Sequence, residues 1–311
     1  MNKEPTKTNP SLYVLLSILG TSATGFSPIF VRLSEVGPVA IAFWRMILSV
    51  PFMLIWVYAL SLKQKSNFYS ALKDVLCDGW LVRLAGLCFA LDLGLWHISI
   101  TMTSVVNASL FNNLSAIFVP IFAWYLGYEK LTIRYFIALM GAFAGIFILI
   151  GDTFSLHTSH IWGDLLAIAS AVFYSCYILL IKNLRQRHSS PPIMASVGLV
   201  SSVILFIFAI GLKEIILPTT LNGTAVILGS ALVPQICGQG LLILSLRHLP
   251  PSLASMIMLL QPLVAAILAW FLFNETMTLS QLGGGVVLLI SILYAQRAVQ
   301  LASNPEKKQS N

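Results

Sequence analysis

The chain has 311 residues, of which 58% are hydrophobic and 9% charged, and its formal net charge is +7. A soluble domain carries about 25% charged residues, so this composition excludes a soluble globular protein. Long apolar runs are present and the short alternating segments of barrel strands are absent, which predicts an all-α, multi-pass membrane protein.

We predict ten membrane-spanning helices, because runs of about 20 apolar residues are long enough to cross the hydrocarbon core. In chain order the runs are 12–31, 38–60, 81–100, 105–126, 132–151, 161–182, 192–211, 224–245, 252–273 and 279–297. Turn signals such as Gly37-Pro38 and Pro250-Pro251 separate them. The first run follows basic residues, as a signal peptide does, but its length, its Pro28 and the lack of a clear cleavage motif favour a spanning helix.

The segment 99–132 recurs as 245–278 at a constant offset of 146. Identical residues at this offset are Ser99/Ser245, Ala108/Ala254, Ser109/Ser255, Leu114/Leu260, Ala123/Ala269, Trp124/Trp270, Leu126/Leu272, Glu129/Glu275 and Thr132/Thr278. The chain is therefore a tandem duplication of a membrane unit. Because each copy contains five spans, the second copy enters the membrane with the opposite orientation, and we predict two inverted repeats.

The repeats divide the chain into four parts: an N-terminal tail (1–11), a first five-helix repeat (12–151), a second repeat (161–297) and a C-terminal tail (298–311). If the N-terminus is cytoplasmic, the inner segments hold fifteen Lys and Arg residues, and the outer loops hold only Arg32 and Lys213. The positive-inside rule then places both termini in the cytoplasm. The excess positive charge reports topology, which removes the case for nucleic-acid binding.

Several stretches resemble the drug/metabolite transporter superfamily, EamA type. They are GPVAIAFWR at 37–45, TSVVNASLFNNLSAIFVP at 103–120, Glu129 after Trp124, and PPSLASMIMLLQP at 250–262 followed by Asn274-Glu275. The resemblance covers about residues 12–297. It implies a ten-helix, two-repeat secondary transporter with cytoplasmic termini, usually an exporter of amino acids or related metabolites. A bacterial inner (plasma) membrane is the expected location.

Prolines and glycines inside the spans predict breaks and close contacts. The fourth span has Ser115-Ala116 where its twin has Gln261-Pro262, so its break is expected four residues later, at Pro120. The two halves are therefore not expected to move alike. The G-x-x-x-G spacing of Gly141 and Gly145 in the fifth span, and Gly283 to Gly285 in the tenth, permit close helix packing.

Arg45 and Asp92 are ionisable residues that we place roughly 10–12 Å below the outer surface, from a rise of about 1.5 Å per residue. Charged groups in hydrocarbon are costly and face a partner or a cavity. The two residues form either a structural ion pair between the second and third spans or a contact to substrate or a coupling proton. His97 is either an interfacial structural group or a proton relay.

Five carboxamides are expected near mid-membrane: Asn112, Asn113, Gln235, Gln239 and Gln261. Carboxamides donate and accept hydrogen bonds, which suits the carboxylate and ammonium of an amino-acid-like ligand. We therefore favour them as the substrate site over simple interhelical hydrogen bonding. Tyr174 and Trp96 are candidate aromatic walls of the same site, although packing or lipid contact is the alternative for most membrane aromatics.

Enzymatic and metal sites have little support. No H-E-x-x-H, G-x-S-x-G or P-loop motif occurs, the four cysteines are scattered, and His157 and His160 share one loop without a cysteine. No cofactor is expected. A membrane-embedded enzyme and a non-transporting structural or sensory partner remain weaker alternatives.

The favoured function is export of amino acids or related small metabolites by alternating access. The alternative is uptake of a nucleoside-like, cofactor-like or other small metabolite. The expected partners are a small-molecule solute and the lipid bilayer, and a monomer is favoured over a homodimer. The solute, the direction and the coupling ion are not determined by the sequence.

Overall fold

The computed structural model describes residues 10–64, 67–151, 161–273 and 278–303, and every regular element within these ranges is helical. Ten helical stretches are long and apolar enough to cross a membrane, and we number them as spans. Spans 1 to 10 are Ser11–Arg32, Pro38–Lys63, Gly79–Met102, Asn107–Tyr125, Ile133–Ile150, Ile161–Arg187, Ser190–Gly211, Leu221–Ser245, Pro251–Leu272 and Leu279–Val299. The predicted all-α fold with ten spans is confirmed, and each predicted run agrees with its span to within five residues at either end.

Six spans are single continuous helices and four are interrupted. The continuous helices are Pro38–Gln64, Gly79–Met102, Ile133–Ile150, Ile161–Arg187, Ser190–Gly211 and Leu279–Ser303. The interrupted spans are span 1 (Pro10–Thr24 and Ser27–Arg32), span 4 (Val105–Asn112 and Ser115–Tyr125), span 8 (Leu221–Ser230, a π-helix Ala231–Gln239, and Gly240–Ser245) and span 9 (Pro251–Met258 and Gln261–Phe273). Interruptions of this kind in membrane helices are typical of binding sites.

Spans 4 and 9 are interrupted at equivalent positions of the repeat. Their first segments end at Asn112 and Met258 and their second segments begin at Ser115 and Gln261, in each case 146 residues apart. The predicted break at Pro120 is wrong, because Pro120 lies inside a continuous helix. Neighbouring groups satisfy backbone carbonyls that a proline leaves unpaired in a membrane helix, so a proline there need not end the helix.

The ends of the spans gather on two faces of the bundle. We call one of them the basic face, because most Lys and Arg residues lie there. It holds the last turns of the even-numbered spans and the first turns of the odd-numbered spans. There Glu129, which follows span 4, hydrogen-bonds Ser252 at the start of span 9. On the opposite face, Glu35 between spans 1 and 2 hydrogen-bonds Thr220 just before span 8. Spans 4 and 9 therefore run in opposite directions.

Spans 5 and 10 pack backbone against backbone. A Cβ atom added to Gly145 would lie 2.6 Å from the amide nitrogen of Leu288 and 2.8 Å from the carbonyl oxygen of Gly284. A Cβ atom added to Gly284 would lie 2.5 Å from the amide nitrogen of Leu149. Only glycine permits this approach at both positions, in agreement with the close packing expected from the glycine pattern.

A short amphipathic helix, Phe68–Cys77, connects spans 2 and 3 on the basic face. Asn67 caps it by accepting a hydrogen bond from the backbone N–H of Tyr69 at 2.9 Å. Val75 is fully buried whereas Tyr69 is exposed. The predicted runs do not include this helix, because it is too short to cross the bilayer.

Candidate functional site

Arg45 lies in the middle of the bundle and joins three spans. Its Nε donates to Oε1 of Gln235 in span 8 at 3.0 Å, and its Nη1 donates to Oγ of Ser27 in span 1 at 2.8 Å. Ser27 follows directly after the interruption of span 1, and Gln235 lies within the π-helix of span 8. The guanidinium is therefore anchored where two helices are irregular.

Asp92 in span 3 is held by a second set of polar groups. Its Oδ1 accepts hydrogen bonds from Oγ of Ser170 in span 6 at 2.7 Å and from Nδ2 of Asn112 in span 4 at 3.2 Å. Asn112 also donates to the Ser170 hydroxyl at 2.6 Å. Asn112 is the last residue before the interruption of span 4, so this charge also lies beside a broken helix.

Arg45 and Asp92 do not form a direct ion pair, which corrects the structural interpretation of these two residues. Each side chain hydrogen-bonds neutral partners, Gln235 and Ser27 for Arg45 and Ser170 and Asn112 for Asp92. The depths of the two residues were predicted from position along the helix, which says nothing about the direction in which each side chain points. The site is therefore a separated pair of opposite charges.

One polar atom on each charged side chain remains open. Within the part of the chain that the structure describes, Nη2 of Arg45 and Oδ2 of Asp92 have no hydrogen-bond partner, and neither is among the polar atoms sealed from solvent. Both residues retain 4% of their surface as accessible. Each charged side chain thus keeps one polar atom without a hydrogen-bond partner in a nearly buried position.

Tyr174 and Gln239 lie on the same inner surface. The Tyr174 hydroxyl contacts Sδ of Met258 at 3.1 Å and lies beside the Gln239 side chain. Met258 is the last residue before the interruption of span 9. Tyr174 also packs at a centroid distance of 5.8 Å from Tyr177, whose ring stacks on Phe89 at 4.2 Å.

Gln261 extends this polar surface to span 1. Its Nε2 donates to Oγ1 of Thr24 at 2.9 Å, and Thr24 is the last helical residue before the interruption of that span. Thr24 in turn contacts the π-helix, because a Cβ atom added to Gly238 would lie 2.6 Å from its Cγ2. All four interrupted spans therefore place a polar residue at or beside their irregular segment.

Three predicted site residues are buried in the bundle. Asn113, Trp96 and His97 each have one polar side-chain atom that is sealed from solvent and unpartnered among the described residues. Trp96 packs with Ala108 and Ala167. Nδ1 of His97 donates to the carbonyl oxygen of Pro38, which fastens span 3 to the start of span 2. This geometry favours the structural interpretation of His97 over a proton relay.

On the basic face, one contact joins the two halves of the chain and another holds spans 6 and 8 together. Glu129 accepts hydrogen bonds from the backbone N–H of Ser252 at 3.1 Å and from its hydroxyl, and so caps span 9. Burial raises the pKa of Glu129 above its ordinary value, against the opposing effects of the Ser252 hydrogen bonds and the Lys182 charge. Nζ of Lys182 donates to the carbonyl oxygens of Leu246 and Leu249, at the end of span 8. Glu275, the repeat equivalent of Glu129, lies outside the described residues, as do His157 and His160.

Two further carboxylates join the halves on the opposite face. Oε2 of Glu214 accepts from the backbone N–H of Ala40 at 2.7 Å and so caps span 2. Glu35 accepts from Thr219 and Thr220 at the start of span 8. The Thr220 hydroxyl lowers the pKa of Glu35. Each of these acids lies in one repeat and caps a helix of the other.

A cavity of about 200 Å³ lies on the opposite face, between the ends of spans 1, 2 and 3. Its lining includes Pro28, which follows the Arg45 partner Ser27, and Pro38, whose carbonyl holds His97. The cavity lies on the face away from the Glu129 contact.

Sequence reasoning missed the hydroxyl partners Ser27, Ser170 and Thr24. Small hydroxyl residues within apolar runs are common in membrane helices, where they hydrogen-bond locally or permit packing. The position of Ser27 and Thr24 was a usable signal for their role, because these residues flank a Gly-Phe step that precedes Pro28.

The fold and site define a multi-pass integral membrane protein with a polar, charged interior between interrupted helices, which is the architecture of a membrane transporter. The EamA-like transporter family matches residues 11–151 and 161–295, and the chain belongs to this family. It is therefore a transporter and not an enzyme.

Two relatives from Archaeoglobus fulgidus are each named as an uncharacterized transporter. One is 26% identical over 200 residues, covering 64% of this chain and 70% of the relative. The other is 23% identical over 296 residues, covering 91% and 96%. A crystal structure of another protein superposes with a TM-score of 0.77 at 14% identity, covering 93% of this chain and 98% of that one, which shows a shared fold.

Proposed function

We propose that this transporter exports amino acids or related zwitterionic metabolites by alternating access. The observation that carries the proposal is that Nη2 of Arg45 and Oδ2 of Asp92, two nearly buried groups of opposite charge, have no hydrogen-bond partner among the described residues. An α-amino acid has one carboxylate and one ammonium group. Charge-assisted hydrogen bonds to Arg45 and Asp92 would satisfy both at once.

Separation of the two charges favours a bridging ligand. Arg45 is held by Gln235 and Ser27, and Asp92 by Ser170 and Asn112, so neither needs the other as a partner. A zwitterion placed between them adds no net charge to the low-dielectric interior, whereas a singly charged ligand leaves one charge uncompensated. Tyr174 and Met258 supply an apolar wall for a side chain.

The arrangement of the repeats supports alternating access. Spans 4 and 9 run in opposite directions and are interrupted at equivalent positions, as expected if 12–151 and 161–297 form two inverted five-helix repeats. We assign the basic face to the cytoplasm of a bacterial inner membrane, because most Lys and Arg residues lie there.

Uptake of a nucleoside-like solute has less support. A base requires a free aromatic face, but the Tyr177 ring is already stacked on Phe89 with an interplanar angle of 6°. The site also contains two charged groups, and a neutral nucleoside has no charge to pair with them. The symmetry of the repeats allows transport in either direction, and the solute gradients decide which one occurs. Export is therefore the part of the proposal that needs a separate test.

The substrate is tested with purified protein in proteoliposomes. We expect individual amino acids to raise the melting temperature and to support counterflow, and we expect Arg45→Gln and Asp92→Asn to abolish counterflow. Asp164→Asn is the matched control, because Asp164 is a buried carboxylate bound by the Thr103 hydroxyl at 2.8 Å outside the site. Counterflow of nucleosides but of no amino acid would overturn the proposal.

Export is tested by efflux of amino acids from cells loaded with dipeptides. Efflux that does not change when the transporter is expressed would contradict export.

A further inference from the structure

We propose that Arg83 and Arg187 bind the phosphate group of an anionic phospholipid in the leaflet that meets the basic face. The inference does not depend on the substrate, because it concerns the lipid-facing surface of the bundle. Arg83 belongs to the first turns of span 3, and Arg187 is the last residue of span 6. The basis is that both arginines meet at one step of the chain, Asp78-Gly79, beside an exposed apolar face of span 3.

The two guanidinium groups contact adjacent residues. Nε of Arg83 donates to the carbonyl oxygen of Gly79 at 2.9 Å, and Nη1 of Arg187 donates to Oδ1 of Asp78 at 3.4 Å. Nε2 of His188 lies 2.8 Å from Oδ2, the other oxygen of the same carboxylate. Both oxygens of Asp78 are therefore engaged. With His188 neutral, two arginines against one carboxylate leave one positive charge, which matches the single negative charge of a phosphodiester.

The arginines keep hydrogen-bond donors for a ligand. Within the part of the chain that the structure describes, Nη1 and Nη2 of Arg83 and Nη2 of Arg187 have no partner. The Arg83 side chain is exposed, and that of Arg187 is 63% exposed. The bond to Gly79 directs the Arg83 guanidinium back toward the start of span 3. A planar guanidinium binds phosphate oxygens through two parallel hydrogen bonds, so each arginine suits a phosphate group.

An exposed apolar stripe runs from the arginines into the membrane. Trp80, Leu84 and Leu87 are 64%, 37% and 40% exposed, and their spacing places them on one face of span 3. Tryptophan is enriched where the membrane meets water, so Trp80 marks the level of the headgroups. A lipid whose phosphate lies at Arg83 therefore has its acyl chains along Leu84 and Leu87. A free phosphate ion does not use this stripe, so the surface fits a lipid.

The short amphipathic helix Phe68–Cys77 places the arginines at the same level. The ring of Phe68 packs edge-on against Tyr58 of span 2 at a centroid distance of 6.2 Å, and Tyr58 is 56% exposed. This helix therefore lies on the lipid-facing side of span 2, and amphipathic helices of this kind lie in the plane of the interface. It ends directly before Asp78. The arginine cluster is thus at the depth of the lipid headgroups.

Native mass spectrometry tests the site with phosphatidylglycerol and phosphatidylcholine of the same chain length. We expect the wild type to retain one phosphatidylglycerol in preference to phosphatidylcholine as the collision energy rises. Arg83→Gln and Arg187→Gln should each lower the affinity for phosphatidylglycerol roughly fivefold, because a basic residue near an anionic membrane surface contributes about 1 kcal/mol. Arg134→Gln is the matched control, since Arg134 is an exposed arginine at the start of span 5 on the same face.

Three outcomes of this experiment would overturn the proposal. They are equal retention of the two lipids by the wild type, an equal loss of phosphatidylglycerol in Arg134→Gln and Arg83→Gln, and displacement of the lipid by inorganic phosphate. The first two would show that the arginines form no specific site. The third would show that the site recognises the phosphate group without the lipid.

Tryptophan fluorescence in nanodiscs tests the position of the lipid with both arginines intact. Phosphatidylglycerol with brominated acyl chains should quench Trp80 more than brominated phosphatidylcholine does. The comparison is the quenching that Trp80→Phe removes, because the chain contains seven tryptophans. If Trp80→Phe removes the same quenching with either lipid, the proposal is wrong, whatever the arginine variants do to folding.

Discussion

Glu129 accepts hydrogen bonds from both the backbone N–H and the hydroxyl of Ser252, although 123 residues separate them in the sequence. The contact joins the loop after span 4 to the start of span 9. In an alternating-access cycle we expect this contact to break when the basic face opens.

Loss of this contact should open the basic face. Hydrogen bonds to a charged group are worth about 1.5–3 kcal/mol, so Glu129→Ala should raise the opening equilibrium by roughly tenfold or more. The measurement is the rate of maleimide labelling of Cys88, which is buried on the basic side of Asp92, with the other cysteines replaced by serine. Lys130→Ala is the control at the neighbouring exposed position. Equal labelling rates in the two variants would show that the contact does not hold the face closed.

The two central charges should be coupled only through space. Asp92→Asn leaves Arg45 without a counter-charge and should lower the melting temperature, and Arg45→Gln/Asp92→Asn should recover part of the loss. Because there is no direct bond, the cost of the single change should be smaller than the roughly 3–5 kcal/mol of breaking a buried ion pair. Thermal unfolding in detergent measures both. A double variant less stable than Asp92→Asn alone would contradict this account.

Removal of the mid-membrane carboxamides should weaken substrate binding more than folding. Asn112→Ala removes the donor that orients Asp92, and Gln261→Ala removes an amide between spans 9 and 1. Since such hydrogen bonds are worth about 1.5–3 kcal/mol near a charge, the apparent KM should rise about tenfold or more while the melting temperature changes by a few degrees. The control is Asn183→Ala, which removes a hydrogen bond from the side-chain amide to the Tyr128 hydroxyl far from the site. Normal transport by both variants would show that these amides only hold helices together.

The two faces should be distinguishable by thiol labelling in intact cells. Lys213→Cys lies in the exposed connection before span 8, and Lys73→Cys lies on the short helix between spans 2 and 3. An impermeant maleimide should label the first and spare the second until the membrane is permeabilised. The reverse result would invert the topology and place the basic face outside.

Acid should affect the two loop carboxylates in opposite ways. The Thr220 hydroxyl lowers the pKa of Glu35 in the folded protein, so its stabilisation is present above the ordinary glutamate value and is lost as pH falls through the folded value. Burial raises the pKa of Glu129, so protonation as pH falls relieves a cost of folding. Glu35→Gln should therefore reduce the acid sensitivity of the melting temperature and Glu129→Gln should increase it. The same slope in both variants would refute the assignment.

The spans were predictable because the bilayer thickness imposes a length and a composition that local sequence must obey. The interruptions were harder to predict. Pro51 and Pro120 lie within continuous helices, whereas spans 4 and 9 are interrupted at Asn113-Leu114 and Leu259-Leu260, where neither residue is a proline or glycine. The local sequence therefore carries no breaking signal at these two positions.

The candidate site was predicted in composition but not in connectivity. Arg45, Asp92, Asn112 and Gln235 were singled out because polar groups at mid-membrane are costly. Depth along a helix gave their level but not their direction, so Arg45 was paired with Asp92 and not with Gln235.

The glycine contact between spans 5 and 10 restricts how the rest of the bundle moves. Two backbones that approach closely enough to exclude a methyl group cannot slide or rotate past one another without collision, because packed interiors resist compression. This pair joins the last helix of each repeat and contains neither Arg45 nor Asp92. We therefore expect spans 5 and 10 to move as one unit during transport, and we expect a bulkier residue at Gly145 to separate them without touching Arg45 or Asp92.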